Sequence, residues 1–471
     1  MKHELLEYLK SSNRDWLHYY ADGIQSDRSR ELERLTKARL KQILLLGNSP
    51  KPTVFVVETN PIEFIAAFLA GVIAEANLFL CDPSWQQQEW EQVLQLVEPD
   101  IVYGDRQTRD SITKFGSVIE NSTNMPEIPD ESLIMIPTGG SSGKIRFAMH
   151  TWETLSASVL GFKAYFSCQR INSYCTLPLY HVSGLMQLMR SLLTQGNLTI
   201  CPYRVLKTDR VFSSQPDYFI SLVPTQLQYL IKFVPEWLAK FKTVLLGGAP
   251  PMRSLLDTAR EHNISVALTY GMTETASGVA ILKPQDFLAG NNSNGLTLPH
   301  AEIELTLPTE SDRQEAESEN KIGCIKISSS SLCLGYYPQH FTLEQALITD
   351  DLGYFDRQRY LHLIGRNSQK IITGGENVFP AEVESAIYAT GLVKDVCVIG
   401  MSDRQWGQVV TAIYVPTLKH DLNLIKQKLR EQLAGYKQPK NWIEVDIIPR
   451  NDRGKINYQK LSETIDAIGN R

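Results

Sequence analysis

Between residues 53 and 105 the sequence alternates short apolar runs with stretches of helical period, and this alternation limits the folds open to the chain. TVFVVE (53–58) reads as a strand, and PIEFIAAFLAGVIAEA (61–76) as the helix after it. NLFLCDP is the next strand, WQQQEWEQVLQLVEP a helix, and DIVYGD another strand. Strands separated by helices imply parallel pairing with helices laid over the sheet faces. The same rhythm returns in DYFISLVP, TQLQYLIKFV, KTVLLGGAP, RSLLDTAREH and SVALTYGMTE. No solenoid-type repeat is present.

With 471 residues the chain exceeds one ordinary core and predicts two or more domains. After Ile364 its character changes. GRNSQKIITGGENVFPAEVESAIYAT leads into a smaller unit with strands DVCVIGM and VVTAIYVP and a helix, LIKQKLREQL. The expected boundary falls near 365–369, dividing the chain into residues 1–365 and 366–471. The polar 309–320 stretch, TESDRQEAESEN, predicts an exposed loop between two strands.

Composition excludes several classes. Apolar residues make up 43% and charged residues 21%, as in a soluble globular protein. A net charge of −5 argues against a general nucleic-acid binder. The longest apolar run, FIAAFLAGVIA, is too short to span a bilayer and is followed by Glu75, so no integral membrane segment is expected. The N-terminal MKHELLEYLK lacks the apolar stretch of a secretory signal. Seven scattered cysteines, never in a C-x-x-C pair, fit free buried thiols in a reducing cytoplasm better than disulfides or zinc.

Five stretches carry chemistry. Thr138-Gly139-Gly140-Ser141-Ser142-Gly143-Lys144 follows a strand-like LIMIP and offers exposed backbone N–H groups suited to phosphate oxygens. It fails the G-x-x-x-x-G-K-[ST] spacing twice, because three residues separate Gly139 from Gly143 and Ile145 follows Lys144. Its plain alternative is a flexible surface turn. Tyr270-Gly271-Met272-Thr273-Glu274-Thr275 places a ring for stacking before a hydroxyl and a carboxylate for phosphate and Mg²⁺. Glu274 could instead cap a helix start. Gly247-Gly248-Ala249-Pro250, past a buried strand, allows close approach of a planar ring, or is an ordinary strand–helix turn. Thr349-Asp350-Asp351 with Gly365-Arg366 joins a carboxylate suited to ribose hydroxyls and a cation suited to an anionic oxygen, or is a hairpin with a salt bridge. Asn451-Asp452-Arg453-Gly454-Lys455-Ile456 presents a lysine on a glycine turn, either a mobile cation for a site or a solvated terminal residue.

In this order, these stretches resemble the adenylate-forming superfamily of acyl-CoA synthetases, firefly luciferase and peptide-synthetase adenylation domains. The resemblance runs from about residue 53 to residue 461. It implies an α/β fold. A large N-terminal ATP- and acyl-binding domain has parallel or mixed sheets covered by helices, and a small mobile α+β C-terminal domain carries a catalytic lysine. Thr138, Gly139, Gly140, Ser141, Ser142, Gly143 and Lys144 would wrap the ATP phosphates. Gly248, Ala249 and Tyr270 would line the adenine, Gly271 would belong to the ATP site, Thr273 would touch the α-phosphate, and Glu274 would ligate Mg²⁺. Asp351 would hold the ribose, with Arg366 close by. Lys455 would bridge the attacking carboxylate and the α-phosphate, and His181, in PLYHVSGL, would stand near the acyl pocket. Gly374, Gly375 and Glu376 would approach the coenzyme A thiol after rotation about Gln369. The implied co-substrates are Mg²⁺·ATP and coenzyme A, with no prosthetic group.

The chain departs from the superfamily pattern in three places. Ile145-Arg146-Phe147 stands for Pro-Lys-Gly, Gln369 for a hinge Asp or Lys, and Asp350 for the Gly of T-G-D.

The chain length, PTGGSSGKIRFA, PLYHVSGL and GGENVFPAEVE most resemble the o-succinylbenzoate–CoA ligases of menaquinone and phylloquinone synthesis, in their cyanobacterial branch. That resemblance implies an aromatic keto dicarboxylic acid as substrate. One carboxylate reacts and the other needs a polar or cationic anchor, for which His181, Ser183 and Arg190 are candidates. Rival expectations are another aryl- or acyl-CoA ligase, a stand-alone enzyme loading a carrier protein, and a catalytically silent binding protein. Retention of Lys455, Glu274, Asp351 and Arg366 opposes the last. The sequence leaves a homo-oligomer open as a further partner.

Overall fold

A computed structural model of the chain describes residues 14–21, 24–47, 51–106, 108–110, 112, 132–139, 144–209, 216–306, 321–340, 346–417, 422–450 and 456–469. Gly140, Ser141, Ser142, Gly143, Lys455 and the 309–320 stretch lie outside the described residues.

Two large sheets form most of the body. In the first, the parallel strands Asn172–Cys175, Tyr218–Leu222, Thr243–Leu246 and Val266–Met272 lie side by side in that order. Strands Leu198–Ile200 and Leu17–Ala21 extend it at one side, and the antiparallel Ser277–Ile281 at the other. In the second, Ile101–Tyr103, Thr53–Val56, Asn77–Leu80 and Ile134–Gly139 are parallel, and Ile145–His150 returns antiparallel against the last of them. The alternation of strands and helices expected from the sequence is present, element by element.

Helix Pro61–Ile73 shows why the two sheets stay together. Asn60 caps its start by accepting from the Ile62 N–H at 2.9 Å, and Pro61 supplies a preset first turn. Its residues are buried nearly all round, the mark of a helix enclosed in a core rather than lying on a surface. It shares one apolar cluster with Val54, Val56, Leu78 and Leu80 of the second sheet and Leu17, Leu198 and Ile200 of the first. The helix ends three residues before the expected limit, because Glu75 turns to φ 60° and leads directly into the strand at Asn77.

A third sheet, wholly antiparallel, comprises Ala301–Thr306, Gly323–Ser329, Leu347–Phe355 and Leu361–Arg366. Beyond it, Val393–Asp403 and Gly407–Pro416 form a long antiparallel pair, with Asn441–Glu444 added parallel. Helices Pro380–Ala389 and Leu422–Arg430 cover this pair through Val383, Ile387, Ile425 and Leu429. This last unit has a core of its own, from Ile371 and Val378 to Leu429 and Leu433. No helix among the described residues is long and apolar enough to cross a membrane.

Strand Ile145–His150 is divided by its period of two. Phe147 and Met149 enter the core of the second sheet. Phe147 stands edge-on to Phe79 at 5.1 Å, and Tyr337 meets the other side of that ring, also at 5.1 Å. The phenylalanine where the superfamily has glycine is therefore a core residue. Arg146, Ala148 and His150 take the opposite face. His150 is fully buried, and its Nε2 lies 2.7 Å from the Thr273 carbonyl oxygen. Nε2 therefore carries the proton, and Nδ1 accepts from Thr154 Oγ1 at 3.0 Å.

Burial lowers the His150 pKa from 6.5 to about 4, against a smaller raising effect from the Thr273 hydrogen bond. A histidine with a depressed folded pKa stabilises fully above its unfolded value and loses that contribution as pH falls toward the folded one. His150 is thus expected to withdraw about 3 kcal/mol of stability between pH 6.5 and pH 4. His150→Gln, which keeps a donor toward Thr273, should flatten the urea-unfolding stability of the protein over this window relative to the parent.

Candidate active site

The parallel strands of the first sheet all end on one side, the side at which α/β sheets commonly bind ligands. Gly247 and Gly248 follow strand Thr243–Leu246 there. Gly248 adopts φ +82°, a conformation side chains disfavour, and Ala249 is half-buried next to it. Beside them strand Val266–Met272 carries Tyr270. The pairing with Ser277–Ile281 shifts register between Tyr270 and Gly271, a bulge that only glycine permits, since a Cβ at Gly271 would stand 2.0 Å from the Ser277 carbonyl oxygen.

Tyr270 is buried and donates its hydroxyl to Asp351 Oδ2 at 2.9 Å. Burial, then the Asp351 carboxylate, push the phenol well above its ordinary range, so it remains a donor. Asp351 and Arg366 are opposite one another across the pair Leu347–Phe355 and Leu361–Arg366, with Arg366 Nε 3.4 Å from Asp351 Oδ1. The carboxylate and the cation singled out in the sequence thus meet through a hairpin ladder, and Tyr270 joins them from another sheet.

Thr273 and Glu274 form a single tight turn, Thr273–Thr275, closed by Ala276 in the left-handed region at φ 50°. Glu274 does not cap a helix. Its Oε1 accepts a hydrogen bond from the Tyr336 hydroxyl. The Arg146 guanidinium lies over the Tyr336 ring, 4.3 Å from its centre. Thr138, at the end of strand Ile134–Gly139, is buried with its hydroxyl unpartnered, and Lys144 is exposed at the start of the return strand. His150 ties that return strand to Thr273. The hairpin of Ile134–Gly139 and Ile145–His150 is thereby tied to the Thr273–Glu274 turn, and the Tyr270–Asp351 pair lies on the strand that leads into that turn.

A single carboxylate with an open oxygen suits Mg²⁺, which is commonly held by one or two carboxylates plus substrate phosphates. Among the described residues there is no group of three or more His, Cys, Asp or Glu that would make an all-protein metal cage.

His181 caps no backbone group with its side chain. It precedes helix Val182–Leu193, and its ring stands edge-on to Tyr180 at 4.5 Å. Ser183 is exposed in the first turn of that helix. Arg190, two turns further on, is 5% exposed. It donates to Ser277 Oγ at 3.1 Å and lies 4.1 Å over the Phe162 ring, and its Nε has no partner. No carboxylate pairs with it among the described residues, and burial lowers its pKa to about 10. His300 sits nearby with both ring nitrogens unpartnered, its pKa lowered to about 4 by burial and by Arg190.

Gly374 and Gly375, at φ +60° and +91°, form the two-residue turn between Ile371–Thr373 and Glu376–Val378, with Glu376 exposed. Gln369 lies in the turn Asn367–Gln369, exposed, with Nε2 3.3 Å from the Tyr458 hydroxyl. Asp350 binds the same turn, accepting from Ser368 N at 3.0 Å and from the Ser368 hydroxyl. Sequence reading misses Tyr336, His150 and His300. His150 lies on the return strand of the 134–150 hairpin and Tyr336 on the strand paired with it, and no local motif marks either.

A family model described as AMP-binding enzyme matches residues 30–337, and one described as AMP-binding enzyme C-terminal domain matches residues 382–455. The 2-succinylbenzoate–CoA ligase of Listeria innocua is 31% identical over 69% of this chain and 68% of its own length. The protein of the same name from Bacillus licheniformis is 28% identical over 90% of this chain and 92% of its own. Among solved structures, o-succinylbenzoate CoA synthetase from Bacillus subtilis in complex with the acyl-adenylate intermediate OSB-AMP superposes with a TM-score of 0.81 at 22% identity, covering 97% of each chain. ATP-bound MatB from Rhodopseudomonas palustris gives 0.82 at 23% identity, over 99% of this chain and all of that one. The two likenesses share the fold, and the sequence kinship with the matched model settles the family: this chain belongs to the AMP-binding enzymes.

Proposed function

We propose that the chain ligates o-succinylbenzoate to coenzyme A through an acyl-adenylate, releasing AMP and pyrophosphate, as a step of menaquinone or phylloquinone synthesis. Relatives of that name support the reaction. The observation that carries the choice of acid is Arg190, a buried guanidinium with no carboxylate beside it among the described residues. A buried cation is costly unless paired, and the second carboxylate of the substrate would supply the partner. His181 and Ser183 begin the helix that carries Arg190.

The reaction would divide between the residues that the superfamily resemblance names. Asp351, oriented by Tyr270, would accept the ribose hydroxyls, with Arg366 adjacent. Gly248, Ala249 and Tyr270 would line the adenine, and Gly271 would belong to the ATP site. The loop from Thr138 to Lys144 would hold the phosphates with backbone N–H groups. Thr273 would contact the α-phosphate, and Glu274 would hold Mg²⁺, which when bound supplies positive charge to the phosphates. Lys455 would meet the negative charge that builds on the α-phosphate as the carboxylate attacks. Thioester formation would then use Gly374, Gly375 and Glu376 after the unit from residue 366 to residue 471 turns about Gln369 against residues 1–365. The seven free cysteines, six of them buried, fit a reducing compartment, and we place the reaction in the cytoplasm.

The test is product analysis with purified protein, Mg·ATP, coenzyme A and o-succinylbenzoate, with benzoate, 4-coumarate and medium-chain fatty acids as competitors. AMP, pyrophosphate and a thioester should form preferentially with o-succinylbenzoate, and preference for another acid overturns the substrate. Lys455→Ala should slow adenylate formation about 100- to 1,000-fold while thioester formation from preformed adenylate continues. Equal loss of both half-reactions would refute the role given to Lys455. Arg190→Met should raise KM for o-succinylbenzoate about tenfold to a hundredfold and leave the weak turnover of benzoate unchanged.

A further inference from the structure

We infer that Tyr336 is a positioning residue that fixes the Glu274 carboxylate for Mg²⁺, and that Arg146 clamps it from the far side. The inference rests on the reading of Glu274 as the Mg²⁺ ligand.

Strand Gly335–Tyr337 pairs antiparallel with Ile145–His150, setting Tyr336 opposite Ala148 and Tyr337 opposite Phe147. On a pleated strand Arg146 shares the face of Ala148, so it is the diagonal neighbour of Tyr336, within reach of a long side chain. The guanidinium uses that reach to cover the ring, 4.3 Å from its centre. Tyr337, turned the other way, is locked in the core against Phe79. The ring of Tyr336 is therefore held on one side by a cation and through the strand by a core neighbour. Its hydroxyl then meets Glu274 Oε1.

This contact selects between the two carboxylate oxygens. Oε1 is engaged, and Oε2 carries no hydrogen bond among the described residues. A metal-binding carboxylate held through one oxygen presents the other at a fixed angle, and such supporting bonds commonly change metal affinity 10- to 100-fold. Glu274 stands on a three-residue turn, Thr273–Thr275, whose own backbone hydrogen bonds do little to orient a long side chain. Tyr336 supplies the orientation that the turn does not. The pairing also gives a use to Arg146, which stands where the superfamily carries lysine.

The readout is binding rather than turnover. The dissociation constant of ATP is measured by calorimetry in EDTA and again with saturating Mg²⁺, and the ratio gives the coupling between metal and nucleotide. Tyr336→Phe keeps the ring and the Arg146 contact and removes only the hydroxyl. It should cut that ratio about tenfold while leaving the EDTA value unchanged. Glu274→Gln should bring the ratio close to one. If Glu274→Gln abolishes the coupling and Tyr336→Phe leaves or strengthens it, the positioning role is overturned and the assignment of Glu274 survives. If Glu274→Gln leaves the coupling intact, the assignment of Glu274 itself fails. A thermal-unfolding midpoint matching the parent is required of both variants, and Arg146→Leu, which leaves the Tyr336 hydroxyl in place, should lower the ratio in the same direction.

Discussion

The two-residue period of strand Ile145–His150 organises the site. One face sends Phe147 and Met149 into the core beneath the second sheet. The other sends Arg146 to Tyr336 and His150 to Thr273. A slip of one residue would exchange the faces, exposing two large apolar side chains and burying a guanidinium. The register is fixed accordingly, by six paired positions with Ile134–Gly139 and by Gln92, whose side-chain oxygen accepts from Ile145 N at 3.1 Å. Because the strand serves both layers, the contacts of Arg146 and His150 cannot vary independently of core packing.

Polar groups buried in the body fall into two kinds. His150 is fully satisfied, neutral and structural, holding the turn that bears Glu274. Arg190 and His300 are not satisfied, and they lie together beneath the first sheet near Ser277. Satisfied buried polar groups specify a fold, whereas orphaned ones are a liability that natural proteins retain where a ligand completes them. The neutral state of His300 follows from the adjacent guanidinium as well as from burial, so the pair presents one positive charge and an uncharged ring rather than two charges.

Much of this architecture is legible in the sequence, and the reason is local. Runs such as TVFV and TVLL are fully buried parallel strands, so they appear as largely apolar segments between turn residues. Asn60-Pro61 announces a helix start without help from the rest of the chain. The smaller unit shows itself in the same way, through the long apolar strands after Ile364. Contacts between distant segments are different. Tyr336 is 62 residues from Glu274, and His150 is 123 from Thr273, and nothing at either end signals the other. The resemblance supplies Thr273 and Glu274 as names, but not the ring and imidazole that hold them. Phe147 and Asp350 look like losses when set against the superfamily pattern. In the fold the first is core and the second binds a turn.

Asp350 has a mechanical consequence. Its carboxylate grips Ser368 through both the backbone N–H and the hydroxyl, just past the point where Asp351 and Arg366 end their ladder. The antiparallel sheet is in effect prolonged by two residues, and Asn367 and Ser368 travel with it. The Lys370 N–H closes the same turn onto the Asn367 carbonyl at 3.2 Å. The covalent tie between this sheet and the strand that opens at Ile371 is therefore reduced to Gln369 and Lys370, so the smaller unit hangs from the sheet by two residues rather than by a loop.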